Sequence, residues 1–98
     1  MIELKKEFTK KGVLFRQIFK DSELAIYETG YPSFEVFRVV IHKADKYHDD
    51  SYELYPCDEH FGRYAWSCSN EESVNKILRE HFPKHELTRE GFFTKKVV

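Results

Sequence analysis

No apolar run in this chain approaches the roughly 20 residues needed to cross a bilayer; its longest aliphatic stretch is Val39-Val40-Ile41. No membrane span is therefore expected. Cysteine is scarce as well. Cys57 and Cys68 are the only two, too few for a disulfide framework, so reduced thiols in a cytoplasm are the simpler expectation. The first eleven residues hold four lysines and two glutamates without an apolar segment, and no secretory signal is expected. Glycine-rich phosphate loops, G-x-S-x-G and H-E-x-x-H are missing, as are internal repeats and low-complexity linkers.

What remains is the composition of a small folded protein. Of 98 residues, 41% are apolar and 34% charged, which fits neither a disordered chain nor a membranous one. The length suits one domain spanning 1–98. Nine Phe and six Tyr provide large rings that bury much area per residue, an advantage in a small core.

The net charge of −1 is unevenly spread. Residues 1–20 carry six Lys/Arg and two Glu, giving +4; residues 43–60 carry two Lys and six Asp/Glu, giving −4; residues 76–98 carry six Lys/Arg and three Glu, giving +3. Solvated charge explains this simply. Basic ends folding back toward the acidic loop, or a docked partner of opposite sign, would explain it too.

Val13–Lys20 reads as a strand, Asp21-Ser22 as a tight turn, and Leu24–Thr29 as a second strand. Gly30-Tyr31-Pro32-Ser33 marks a hairpin loop before a third strand over Phe34–His42, and residues 61–68 offer a fourth. Met1–Lys11 fits a short helix (Leu4 and Phe8) or a strand (Ile2 and Leu4) equally well. Ser69 and Glu72 have capping-box spacing. Val74, Ile77, Leu78 and Phe82 then form one apolar stripe, and Pro83 ends the helix predicted over 70–82. The tail from Lys84 to Val98, with Leu87, Phe92 and Phe93 near Gly91, could add an edge strand. The expected fold is α+β: a four- to five-stranded antiparallel meander with one C-terminal helix on one face.

Strand side chains alternate between faces. One set collects Phe37, Val39, Ile41, Tyr64, Trp66 and Cys68; the other collects Phe34, Val36, Val40, Phe61 and Ala65. Both are apolar, whereas a sheet with one wet face alternates more cleanly. One helix covers one face. The second must be covered by the chain's ends, through Leu4, Phe8, Leu87, Phe92 and Phe93, or by a partner. On the partner reading, Phe34, Val36, Val40 and Phe61 form the interface of a homodimer or a protein complex. Trp66 is expected to anchor the core beneath the helix.

Chemistry-bearing residues concentrate in Lys43–His60. Cys57 and His60 have C-x-x-H spacing, and His48 with Asp49 would complete four ligands, but the second close-spaced pair of a structural zinc site is missing. A Cys57–His60 nucleophile is opposed by Asp58 and Glu59, whose charge disfavours a thiolate. No catalytic residue, cofactor or metal is therefore expected. Nucleic-acid binding would use sheet aromatics and the basic residues Lys5, Lys6, Lys10 and Lys11. Against it stand the net charge, the acidic loop and the lack of an RNP-type aromatic motif.

Residues Tyr55-Pro56-Cys57-Asp58-Glu59-His60-Phe61-Gly62-Arg63-Tyr64-Ala65-Trp66, followed by the Ser69-to-Phe82 helix, resemble small proteins of Bacteroides-type gut bacteria, their phages and conjugative elements. The shared pattern is roughly Y-P-x-D-E-x-F-G-x-x-A-W before a short amphipathic helix, about a quarter of the chain. The resemblance implies an accessory cytoplasmic protein and transfers no catalytic residue. Tyr55, Pro56, Phe61, Gly62 and Trp66 would build the entry from loop to strand, with Gly62 allowing close packing. The expectation is a non-enzymatic interaction module, with a nucleic-acid-binding accessory protein as the alternative.

Overall fold

The structure, a computed structural model, describes residues 1–30, 33–90 and 92. Among these residues seven strands and two helices follow one another: β1 (Glu7–Lys10), β2 (Val13–Lys20), β3 (Leu24–Thr29), β4 (Phe34–Arg38), β5 (Val40–His42), β6 (Tyr52–Leu54), β7 (Ala65–Cys68), α1 (Glu71–His81) and α2 (Glu86–Glu90). Five form an antiparallel sheet in the order β1-β2-β3-β4-β7, and β5 pairs with β6 as a separate two-stranded arm. The expected α+β architecture is present, with α1 packed on the sheet.

The N-terminal ambiguity resolves as a strand because Phe8 pairs with Phe15 across the first hairpin. Its turn residues Lys11 and Gly12 both have positive φ, 51° and 78°, the handedness that two-residue hairpins favour. The third strand is shorter than expected. Arg38 still pairs with Leu24, but β3 begins there and β7 joins no earlier than the Phe37↔Ala65 pair. The Val39 N–H still donates to the Glu23 carbonyl at 2.8 Å, but strand pairing with β3 or β7 does not continue past that residue. The chain therefore leaves the sheet after Val39, and Val40–His42 pairs with Tyr52–Leu54. The fourth expected strand shrinks to Ala65–Cys68, preceded by a 3-10 turn at Asp58–His60.

Helix α1 starts one residue later than the capping box suggests. Asn70 is the cap, its Oδ1 accepting the Ser73 N–H at 2.8 Å. Glu71 and Glu72 occupy the first turn, where negative charge suits the helix dipole. Beyond Pro83 the chain forms α2 over Glu86–Glu90; residues 91 and 93–98, which the expected edge strand would also use, Gly91 and Phe93 among them, lie outside the described residues. So do Tyr31 and Pro32, invoked above for a loop.

The helix face of the sheet contains Leu24, Ile26, Phe34, Val36 and Cys68, closed by Val74, Leu78 and Phe82. The other face contains Phe15, Ala25, Tyr27, Phe37 and Ala65. The two expected sets are thus wrongly joined across strands. Phe34 pairs with Cys68 and Val36 with Trp66, so Trp66 and Cys68 share the helix face. Trp66 sits there under the end of α1, stacked on His81 at 4.1 Å and edge-on to Phe82.

The β2–β3 turn ties the C-terminal region to the sheet. Asp21 Oδ1 accepts the N–H groups of Glu23 and Leu24, both at 2.8 Å. Its Oδ2 lies 2.7 Å from Nε2 of buried His85. Nδ1 of His85 accepts the Leu87 N–H at 3.1 Å, so Nε2 carries the proton given to Asp21. Burial raises the Asp21 pKa, but the Glu23 N–H, His85 and the Leu24 N–H together hold it below the ordinary 3.8.

Two outcomes follow. Leu78→Ala, which empties a fully buried position, should cost about 2–5 kcal/mol in urea unfolding, whereas Leu14→Ala at a half-exposed site should cost about 1 kcal/mol or less. The stabilisation from Asp21, a carboxyl with a depressed folded-state pKa, is complete above pH 3.8 and lost as pH falls through the folded value. Acid unfolding curves of Asp21→Ala should lack this component and start from a lower neutral-pH stability.

Candidate functional site

The second face of the sheet is closed by the chain itself. Phe8 from β1 and Tyr55, just after β6, lie over it, joined at its margins by Leu4, Phe61 and Tyr64. Tyr55 stands edge-on to four rings: Phe8 at 4.9 Å, Phe37 at 5.2 Å, Tyr27 at 5.5 Å and Phe15 at 5.9 Å between centroids. Its hydroxyl donates to Glu35. Buried Tyr27 is also satisfied, donating to the Lys5 carbonyl at 2.6 Å and accepting from Gln17 Nε2 at 3.1 Å. The cover thus comes from the N-terminus and the loop after the arm. Leu87 and Phe92, expected on this face, pack with the helix cluster instead.

This placement corrects the expected interface. Phe34 is 6% exposed and Val36 is 0% exposed, both beneath α1. Phe61 packs into the second cluster, and Val40 has left the sheet for the arm. These four residues form no common surface, and Val36→Glu would bury an unpaired charge instead of testing an interface.

An open groove of about 700 Å³ lies instead between the N-terminal segment and the arm, lined mainly by apolar surface from Ile2, Leu4, Phe8, Tyr52 and Tyr55, with His48 at its edge. The N-terminal segment is fixed there by backbone bonds, Ile2 N–H to Ser51 O at 2.8 Å and Glu53 N–H to Ile2 O at 2.9 Å. Glu53, only 8% exposed, accepts the Leu4 N–H and pairs with Lys20 Nζ, both at 2.9 Å. Beside the groove runs β1, an edge of the sheet. The Lys6–Gln17 bond and the two-residue turn fix the ladder phase, and its alternation directs the backbone groups of Glu7 and Thr9 away from β2. Lys5, Lys6, Lys10 and Lys11 flank this edge, with Lys10 Nζ 5.8 Å from the Tyr55 ring centre.

Two groups of metal-ligating side chains occur among the described residues: His42, Asp45 and His48 on the arm, and Cys57, Glu59 and His60 at the 3-10 turn. The combination of Cys57 and His60 with His48 and Asp49, weighed from the sequence, does not form: Cys57 and His60 fall in one group, His48 in the other and Asp49 in neither. The arm triad escaped the sequence reading, although its H-x-x-D-x-x-H spacing was available. At the 3-10 turn, His60 Nδ1 lies 3.4 Å from Cys57 Sγ, but it also accepts the Cys57 backbone N–H at 3.1 Å, so its lone pair is occupied. Gly62 in the next turn has a φ of 92°. A Cβ built there meets nothing within 4 Å, so backbone conformation is the constraint, not the close packing expected.

The two thiols differ sharply. Cys57 is exposed and Cys68 buried, and burial pushes the Cys68 thiol up to about 11. Iodoacetamide should label one thiol per folded chain, at Cys57 by peptide mapping, and reach Cys68 only on unfolding.

No described helix is long and apolar enough to cross a membrane. No protein-family model matches the chain, nor does any curated protein or solved structure.

Proposed function

We propose that the protein is a non-enzymatic binding module. Its β1 edge and adjoining groove receive an extended segment of a protein partner that is both acidic and apolar. The carrying observation is the juxtaposition of outward-facing Glu7 and Thr9 backbone groups with the apolar groove of Ile2, Leu4, Phe8 and Tyr55. An added strand would take its main-chain bonds from the edge and place alternate side chains in the groove.

Charge favours this class of partner. The four lysines flanking the edge outnumber Glu3 and Glu7, so two β1 edges repel each other. Lysines of this kind guard an edge against pairing with its own copies, and the same field attracts a negatively charged segment. Ile2 of the groove lining and the adjoining Met1 are 60% and 58% exposed, which adds apolar surface.

Selection of random displayed peptides on the immobilised chain tests the proposal. Acidic, aliphatic-rich sequences should be enriched, and their binding should shift the Glu7 and Thr9 amide resonances. Thr9→Pro removes an outward N–H while sparing the β2 ladder, and should abolish binding without loss of fold. Failure to enrich such peptides, or a footprint away from β1, contradicts the proposal. Salt-dependent retention on immobilised single-stranded DNA, lost when Lys5, Lys6, Lys10 and Lys11 become Glu, would favour nucleic-acid binding instead. A solution mass above 11.8 kDa that falls on Thr9→Pro would favour self-association.

A further inference from the structure

The geometry points to a divalent transition-metal site on the β5–β6 arm, formed by His42, Asp45 and His48. One ligand atom from each lies within 4.8 Å of the other two. Asp45 Oδ1 is 3.1 Å from His48 Nδ1, and Asp45 Oδ2 is 3.8 Å from His42 Nε2. Bonds of about 2.0–2.2 Å in tetrahedral coordination separate neighbouring ligand atoms by about 3.3–3.6 Å, and the two measured separations, each to a different oxygen of Asp45, bracket that range. With all three ligand atoms within 4.8 Å of one another, convergence on one ion needs shifts of no more than about 1 Å per side chain.

The three residues are already held in place. His42 ends β5 opposite Tyr52, and its ring stacks on Tyr52 at 4.9 Å. His48 packs on the same Tyr52 ring at 5.1 Å. Between them, Asp45 Oδ1 accepts the backbone N–H groups of Tyr47 and His48, at 2.8 and 2.9 Å, and backbone bonds join Asp45 and His48 in both directions. The carboxylate thus has a fixed direction, and Tyr52 holds both imidazoles. A bound cation would take the place of the Asp45–His48 side-chain contact.

Two imidazoles and one carboxylate select borderline ions such as Zn²⁺, Co²⁺ or Ni²⁺ over Mg²⁺ and Ca²⁺, which prefer oxygen. The side chains are 38–48% exposed, so the ion has an entry path and its remaining positions face water. The Cys57–Glu59–His60 group is the weaker candidate despite its thiol. Its imidazole lone pair is bound to backbone, and the Glu59 side chain is 80% exposed.

The test is titration of the metal-free, untagged chain with Co²⁺, followed by visible absorbance, and with Zn²⁺, followed by calorimetry. One equivalent of each should bind. His48→Gln, at a half-exposed position outside the core, and His42→Gln should each weaken binding about 10- to 100-fold or more, at least the loss produced by outer-shell substitutions. Cys57→Ser and His60→Ala should leave binding unchanged. Zn²⁺ should raise the melting temperature of the wild type but not of His48→Gln, whose metal-free melt should match the wild type. Absence of one-equivalent binding, its persistence in His48→Gln, or its loss in Cys57→Ser overturns the assignment.

Discussion

The fold depends on one tyrosine. A five-stranded sheet with a single amphipathic helix leaves one apolar face unprotected, and water against Phe15, Tyr27 and Phe37 would cost much of the stability of so small a core. Tyr55 removes that exposure by standing edge-on to four rings at once, an arrangement that favours the positive ring edge against the negative faces. Its hydroxyl reaches Glu35 at the rim, so the polar end is satisfied as well.

The position of Tyr55 follows from the break in the third strand. Because β3 and β7 both stop short of Val40, the chain must find another partner. It turns out into the arm, returns along β6, and leaves Tyr55 over the uncovered face. The N-terminal segment then fills the remaining side. Ile2 bonds to the arm, Lys5 receives the Tyr27 hydroxyl, and Phe8 stacks on Phe15 at 5.0 Å. The groove is the space left where these two covers meet. Arm and groove are therefore consequences of the same early strand termination.

This explains which features the sequence made legible. Val13–Lys20 and Leu24–Thr29 were readable because propensity, alternation and turn residues agree over their full length. The α1 stripe was readable because Val74, Leu78 and Phe82 face one way for a single reason, burial on the sheet. The end of β4 was not, since Val39-Val40-Ile41 is as suited to a strand in the arm as in the sheet; only the lengths of the neighbouring strands decide it. The register between β4 and β7 was likewise hidden. A shift of one residue reverses every side chain, which is how Phe34 and Val36 came to be assigned to the wrong side. That both faces are apolar was legible, and it required a second cover. That the cover was internal required knowing where Tyr55 lands. The arm triad was the reverse case: its spacing was visible, but its meaning depended on the pairing that brings His42 beside Tyr52.

Tyr55 caps the second face of the sheet. Proton–proton NOE measurements on the folded chain in solution test it most directly. Cross-peaks should join the Tyr55 ring to the rings of both Phe8 and Phe37, with Tyr55 shifts displaced by the surrounding aromatics. A Tyr55 ring without those cross-peaks, resonating like a free tyrosine, would contradict it.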